Sequence, residues 1–288
     1  FDDAESALNE ALAHARAAQA AGPVDLFGHQ ASVRETLSGL LLARGRPADA
    51  LKAAQEAVAV LAGRPEASTA RGARPLRRVA EAQLALGELS QGVATYRQAI
   101  ALLSTSVGAP DADDAMAIRL GYTLAMIELG EIDEAQATLK LVASDKRPRT
   151  AEETARVQVL QASIAQRRGD TAGATQAWLA ADQALAASLP EQHPDRRFIR
   201  AQACDLGALP CPPPEGAQSK PETDALVHMA LARHARAAGD ALSADASARA
   251  AVAAAMASGQ PRLQWQALAL WADLLADAGQ RQQAIFVG

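Results

Sequence analysis

The sequence predicts an all-α fold, a right-handed α-solenoid built from antiparallel helix hairpins. The first reason is its composition, because alanine is the most frequent residue and aromatic residues make up only 3% of the chain. Alanine loses no side-chain entropy in a helix, whereas strands favour aromatic and β-branched residues. The second reason is a glycine that returns about every 40 residues, and the third is a fixed pattern of small residues around that glycine.

The recurring glycine follows an apolar helical run in six segments of the chain. These turn glycines are Gly45, Gly87, Gly130, Gly169, Gly239 and Gly279. They are separated by 42, 43, 39, 70 and 40 positions. A period near 40 with one long gap predicts a stacked array of similar units, and the glycine supplies the permissive backbone of a tight turn.

Small residues at fixed distances from each glycine indicate two closely packed helices. Five positions after the glycine stand Ala50, Gly92, Ala135, Ala174, Ala244 and Ala284, and seven positions before it stand Ser38, Ala80, Thr123, Ala162, Ala232 and Ala272. Twelve positions after it stand Ala57, Ala99, Val142, Ala181 and Ala251. Bulkier residues nine positions after it (Tyr96, Leu139 and Trp178) are predicted to fill the space between hairpins. Each repeat is therefore predicted to be a helix, a turn and a second helix.

This pattern resembles the tetratricopeptide repeat (TPR) family. The period exceeds the usual repeat of about 34 residues and is similar to the longer repeats of kinesin light chains. Residues 108–125 and 189–207 resemble the connectors of those repeats, the second through its His-Pro-Asp sequence. HEAT and armadillo repeats share the period and are the structural alternative, but they do not require the observed pattern of glycine and small residues.

The array is predicted to be interrupted once. Residues 194–206 have the pattern of a first helix that ends at Gly207, but a proline-rich segment stands where its second helix should follow. Prolines remove backbone donors and disfavour helix, so residues 208–221 are expected to be an exposed, mobile loop between an N-terminal block (1–207) and a C-terminal block (222–288). Residues 2–20 contain Ala4, Leu8 and Ala11 at the spacing of a second helix, and both ends are expected to be truncated.

Charge and composition narrow the class of function. The net charge of −5 argues against nucleic acid as a partner. No apolar stretch reaches the length of a membrane span, and no signal peptide is apparent, so we expect a cytoplasmic protein without membrane insertion. Two cysteines are too few for a disulfide framework.

No catalytic, cofactor-binding or metal-binding motif is recognisable, so the chain is predicted not to be an enzyme and to need no cofactor. His193, Cys204, Cys211 and His228 bracket the proline-rich loop, but their spacing fits no set of metal ligands, and we expect ordinary thiols there. Trp178, Trp265 and Trp271 occur at helical spacing within the repeats and are predicted to be core residues.

Arginines on the first helices are the candidate binding residues. In the TPR family the first helices line a concave groove, and the resemblance places Arg74, Arg77, Arg156, Arg167, Arg233 and Arg236 on or near that face. Guanidinium groups without internal partners would suit an acidic peptide or partner segment. The alternative is that these arginines are solvated and balance nearby Glu and Asp residues.

Two functions remain open at this point. The resemblance implies a scaffold that binds a protein or peptide in its groove. Alternatively, the chain is the regulatory or substrate-recognition arm of a larger bacterial enzyme. The terminal string GQRQQAIFVG is similar to the segment that joins TPR arrays to caspase-like CHAT protease domains, and bacterial Ser/Thr kinases carry similar arrays. In that case the partner would be an intramolecular catalytic domain.

Overall fold

The computed structural model describes residues 2–22, 25–105, 112–213 and 220–287, which form helices and turns without any β-strand. The predicted all-α class is confirmed. The first seven helices are α1 (Asp2–Ala21), α2 (Phe27–Ala43), α3 (Pro47–Leu61), α4 (Ala70–Leu86), α5 (Leu89–Thr105), α6 (Ala112–Leu129) and α7 (Ile132–Ala143). The remaining helices are α8 (Ala151–Arg167), α9 (Thr171–Ala186), α10 (Pro194–Asp205), α11 (Pro221–Ala237), α12 (Ala241–Ser258), α13 (Pro261–Asp277) and α14 (Arg281–Val287). A short 3-10 helix, Pro65–Ser68, precedes α4.

The contacts divide the chain into two compact units, Phe1–Thr138 and Leu139–Gly288. In the first unit, α2 packs on α3 and α4 on α5, and the first helices α2, α4 and α6 also contact one another in succession. In the second unit, α8 packs on α9 and α11 on α12, and α11 also contacts α13. Each unit is therefore a stack of helix pairs in which neighbouring first helices share a face. The predicted blocks 1–207 and 222–288 remain a prediction, as does the hand of the array.

All six predicted turn glycines adopt the left-handed backbone conformation, with φ between 67° and 90°. At each turn, the amide of the residue after the glycine donates to a carbonyl five positions back, as Glu88 does to Gln83 at 2.8 Å. This bond closes the C-terminal end of the first helix and requires a positive φ at the glycine. The sequence thus located the turns correctly.

The small residues of the repeat pattern form the contact between paired helices. Ala50, Ala135 and Ala174 are fully buried, and Gly92 and Ala244 are buried as well. All five residues twelve positions after a turn glycine are buried, whereas Ala272 and Ala284 of the last pair are only partly buried. Tyr96, Leu139 and Trp178 are buried too, as expected of residues that fill the space between hairpins.

Helix α1 forms as predicted, but the small residues at the second-helix spacing do not form its buried face. Ala4 and Ala11 are exposed, whereas Leu12 and Ala15 are buried. Glu5 fixes the helix by contacts with Arg44 at 2.5 Å and Arg46 at 2.9 Å, next to the first turn glycine. Ion pairs as well as apolar contacts thus set the rotation of α1, and a pattern of alanines alone does not reveal that.

Helix α10 interrupts the pairs, as predicted. His193 caps its N-terminus by accepting from the amide of Asp195, and the chain turns at Gly207, where φ is 73°. Residues 208–213 and 220 are irregular, as predicted, although Pro221 already belongs to α11. The expectation of an exposed loop is wrong for part of it, because Pro212 is buried and Ala208 and Leu209 pack against the core cluster around Trp178. Residues 214–219 of that predicted loop lie outside the described residues.

Two buried arginines hold α10 between its neighbours. Arg196 forms two hydrogen bonds to the carboxylate of Asp182 on α9, at 2.8 and 3.2 Å. Arg197, only 1% exposed, donates to Asp224 on α11 at 2.8 Å. Because buried charges are costly unless they are paired, these contacts fix α10 to particular residues of α9 and α11.

Cys204 and Cys211 form a disulfide, with 5.0 Å between their Cα atoms. The expectation of ordinary thiols is therefore wrong for both cysteines. This pairing could not be predicted, because seven positions separate the two residues and the turn at Gly207 brings them together. A disulfide is typical of oxidising compartments, so the cytoplasmic location remains a prediction.

Candidate functional site

The first-helix face of the first unit carries a cluster of charged side chains, the α4 arginine cluster, defined as Arg74, Arg77 and Arg78. Positions three and four apart lie on the same side of a helix, so these side chains project together. The other side of α4 is apolar and packs into the stack through Ala73, Val79 and Ala80. The predicted Arg74 and Arg77 are thus neighbours, and Arg78, which sequence reasoning missed, belongs with them.

Each arginine of the cluster has a carboxylate beside it. Arg74 Nε lies 3.2 Å from Glu35 Oε2 on α2 and 3.5 Å from Asp114 Oδ2 on α6. On α4 itself, Glu81 accepts from Arg77 at 3.1 Å and from Arg78 at 2.7 Å. The expectation that Arg74 and Arg77 have no internal partners is therefore wrong.

The carboxylate of Glu35 is the most unusual group of the site, because its side chain is only 8% exposed. Burial raises the pKa of the Glu35 carboxyl above its ordinary value, since a charge is disfavoured away from water. The three nearby guanidinium groups lower this pKa but do not cancel the effect of burial. Sequence reasoning missed Glu35, because its burial depends on α4 packing against α2.

The cluster also contains hydrogen-bond donors that lack acceptors. The Nε atoms of Arg74, Arg77 and Arg78 are buried and have no hydrogen-bond partner among the described residues. Arg74 Nε is near Glu35, but the contact is an ion pair without hydrogen-bond geometry. A buried donor without an acceptor costs about 1–3 kcal/mol.

An open pocket of about 560 Å³ lies at the α2 end of this face. Its charged lining comes from Asp25, Glu35 and Glu66 on the acidic side and from Arg71 and Arg74 on the basic side. The pocket thus offers both signs of charge along one wall. Such a surface suits a polar polypeptide segment better than an apolar small molecule.

The predicted arginines of the second unit lie on two helices, Arg156 and Arg167 on α8 and Arg233 and Arg236 on α11. Arg233 Nε donates to Asp205 at 2.8 Å, and Arg236 forms an ion pair with Asp277. Arg156 and Arg167 are exposed on α8, and neither forms an ion pair with a described residue. The expectation of unpaired guanidinium groups is therefore wrong for Arg233 and Arg236 also.

The three tryptophans have different environments. Trp178 is 1% exposed and packs edge-on against Phe198, with 5.7 Å between ring centroids, as predicted for a core residue. Trp271 is partly buried; its Nε1 donates to Asp245 at 2.9 Å, and Arg249 stacks over its ring. Trp265 is 70% exposed, so its predicted place in the core is wrong.

Comparison with known proteins supports the fold. No family model and no curated protein matches the chain. Among solved structures, it is similar to a kinesin light chain protein with nearly identical TPR-like repeats from Podosopora anserina, at 18% identity and a TM-score of 0.51. That match covers 75% of this chain and 99% of the other. BtubC from P. vanneervenii also matches, at 14% identity and a TM-score of 0.37, over 99% of this chain and 87% of the other.

The terminal string GQRQQAIFVG contains α14 at residues 281–287, where Ile285 and Phe286 are 82% and 92% exposed. Its link to CHAT domains remains a prediction. Among the described helices, none combines the length and the apolar character that a membrane span requires. The stacked helix pairs, the turn glycines and the structural similarity agree, and the chain has a TPR-like helical-repeat fold.

Proposed function

We propose that this chain is a protein-interaction scaffold and that the first-helix face of its first unit binds a segment of a partner polypeptide. Stacked helix pairs present long continuous surfaces, and repeat proteins use these surfaces for binding. On this face, charged groups and hydrogen-bond donors are concentrated in the α4 arginine cluster and the adjacent pocket. We propose no catalytic role for the chain.

The observation that carries this proposal is the concentration of three partly exposed arginine side chains on one face of α4, beside an open pocket. A carboxylate or backbone carbonyl of a partner would accept hydrogen bonds from these guanidinium groups. Guanidinium groups bind carboxylates through paired hydrogen bonds, which gives orientation as well as affinity. We therefore propose an extended segment that contains an acidic residue.

The carboxylates already paired with the arginines compete with a partner carboxylate for the same guanidinium groups. Glu81 is 25% exposed and Asp114 is 23% exposed, so a partner carboxylate can exchange with them at the surface. Since each internal pair must be loosened first, binding depends on geometry and on backbone acceptors as well as on charge. A strongly acidic but wrongly spaced segment is therefore expected to bind weakly.

The test is a selection of binding peptides from a random library, followed by fluorescence anisotropy with the selected peptides. The double substitution Arg74→Ala and Arg77→Ala is expected to raise Kd at least about tenfold, which corresponds to 1.4 kcal/mol. The control is Lys52→Ala, because Lys52 is exposed on α3, a second helix. Binding is also expected to weaken with salt, since the Debye length falls from about 10 Å at 0.1 M to about 3 Å at 1 M.

Circular dichroism shows whether the double variant retains the wild-type fold, so that lost binding can be assigned to the face itself. Equal affinities of the folded double variant and of the Lys52→Ala protein would contradict the proposed face. A library that yields no binder at all would contradict the scaffold function of this unit.

A further inference from the structure

Three potential metal ligands meet at the C-terminal end of α10. They are the sulfur atoms of Cys204 and Cys211 and a ring nitrogen of His234, and all lie within 4.8 Å of one another. Cys204 is buried in α10, Cys211 is exposed in the segment that follows, and His234 is partly buried on α11. The cluster lies in the second unit and is separate from the α4 arginine cluster.

The fold positions these residues by contacts that do not involve the sulfurs. The chain reverses at Gly207, where the amide of Ala208 donates to Ala203 at 2.9 Å and closes the end of α10. Arg233, the neighbour of His234, donates to Asp205, the neighbour of Cys204, at 2.8 Å. The turn and this ion pair together hold α10, its following segment and α11 in place, so the three ligands stay close even without the disulfide.

We propose that Cys204, Cys211 and His234 form a redox-gated zinc site, occupied when the two cysteines are reduced and closed when they form the disulfide. Two thiolates and one imidazole are donors that Zn²⁺ prefers, and three protein ligands leave a fourth position for water. Sulfurs joined by a disulfide carry no thiolate, so the oxidised form lacks two of the three ligands. Zinc binding and disulfide formation therefore exclude each other.

The geometry requires only a local rearrangement. With Zn–S bonds of about 2.3 Å and a Zn–N bond of about 2.1 Å at tetrahedral angles, the ligand atoms lie about 3.5–3.8 Å apart. The three ligand atoms now lie within 4.8 Å of one another, so shifts of about 1 Å at the histidine and a separation of the two sulfurs after the S–S bond is broken reach this value. The exposed Cys211 gives a reductant access to the disulfide and can move with its irregular segment.

The chemistry balances as two steps. A dithiol reductant transfers two electrons and two protons to the disulfide, giving two thiols, and the reductant becomes a disulfide itself. Zn²⁺ then displaces both thiol protons and binds the two thiolates and the neutral imidazole. Thiol–disulfide exchange with an oxidised disulfide of another molecule reverses the sequence and releases the metal.

The test compares the reduced and oxidised forms of the full 288-residue chain. The protein is reduced with a water-soluble phosphine, which takes oxygen from water as it becomes the phosphine oxide, and is then titrated without oxygen with Co²⁺ and Zn²⁺. We expect one Co²⁺ per reduced chain, with thiolate-to-cobalt charge-transfer absorption and the intense visible bands of tetrahedral cobalt. Zn²⁺ is expected to displace it, and the oxidised protein is expected to show neither signal.

Matched variants separate this site from weaker binding elsewhere. His234→Gln removes one of the three ligands. It is therefore expected to weaken zinc binding at least about tenfold and to shift the cobalt spectrum. His14→Gln, at an exposed histidine of α1, is expected to leave both unchanged. Cys211→Ser alters an exposed position and is expected to abolish the charge-transfer band without unfolding the chain.

Three results would overturn the proposal. The first is a reduced wild-type chain that binds neither metal at micromolar concentration. The oxidised chain binding zinc as tightly as the reduced chain would be the second. A folded His234→Gln protein with the wild-type spectrum and affinity would be the third, because the two cysteines alone would then account for the binding.

Discussion

The substitution Gly121→Ala tests how tightly α5 and α6 pack in the first unit. Gly121 lies on α6 against the ring of Tyr96 on α5, and Tyr96 is only 1% exposed. A Cβ at position 121 would lie 2.6 Å from Cζ and 3.0 Å from Cε1 of this ring, and closer still to its hydroxyl oxygen. Ordinary contacts begin at 3.4 Å, so the ring or the helix must move by close to 1 Å.

Two opposing effects set the expected magnitude. Alanine stabilises a helix interior by about 0.5–1 kcal/mol relative to glycine. Overpacking a buried contact costs about 1–3 kcal/mol, and the upper part of this range applies because the buried ring of Tyr96 has nowhere to go. We therefore expect Gly121→Ala to lower the free energy of unfolding by about 2 kcal/mol, despite its better helix propensity.

Urea unfolding followed by circular dichroism measures this change. The matched control is Gly28→Ala on α2, where an added Cβ would meet nothing within 4 Å. That variant is expected to be neutral or slightly stabilised. For the double variant Gly121→Ala/Tyr96→Leu, the loss in free energy of unfolding is expected to be smaller than the sum of the losses in the two single variants. The difference should be at least about 1 kcal/mol, because the leucine side chain leaves room for the added Cβ. Additive effects, or a Gly121→Ala protein as stable as the wild type, would refute the reasoning.

Further predictions concern other elements of the fold. Ala135→Leu is expected to overpack the pair α6–α7 and to cost about 1–3 kcal/mol in urea unfolding, because Ala135 is fully buried. Arg197→Ala is expected to cost about 3–5 kcal/mol, since it leaves Asp224 without its buried partner, and an unchanged melting temperature would contradict this. Because the pKa of Glu35 is raised in the folded state, its protonation stabilises the fold below the ordinary value of 4.5, and this stabilisation is lost as the pH rises through the folded pKa. Glu35→Gln should therefore reduce the loss of stability that occurs as the pH rises through the folded pKa of Glu35. Melting curves measured across the pH range would show this difference.

The repeat pattern could be predicted because it depends on local rules. A positive φ at a turn glycine such as Gly87, and a small residue where helices meet, such as Ala135, leave direct marks in the sequence. The exposure of Trp265 could not be predicted, because a helical spacing does not show which face of α13 remains uncovered. The candidate site was located in part, through Arg74 and Arg77.

What the sequence could not show about the site is how its charges pair. Glu35 is 39 positions from Arg74, and their ion pair exists only because α2 and α4 are neighbours in the stack. The same is true of Cys204 and His234, which meet through the packing of α10 on α11. Pairings of this kind depend on tertiary packing, and a single sequence contains no local signal for them.

The buried ion pairs of α10 have a consequence for how the chain avoids misfolding. The alanine faces of the helix pairs resemble one another closely, so one pair could dock on the wrong neighbour during folding, as repeat proteins are prone to do. Arg196 forms an ion pair with Asp182, and Arg197 forms one with Asp224. A neighbouring helix docked in the wrong place would leave one of these buried charges unpaired. We therefore expect α10 to pack stably only between α9 and α11, although the alanine faces of the helix pairs are otherwise nearly interchangeable.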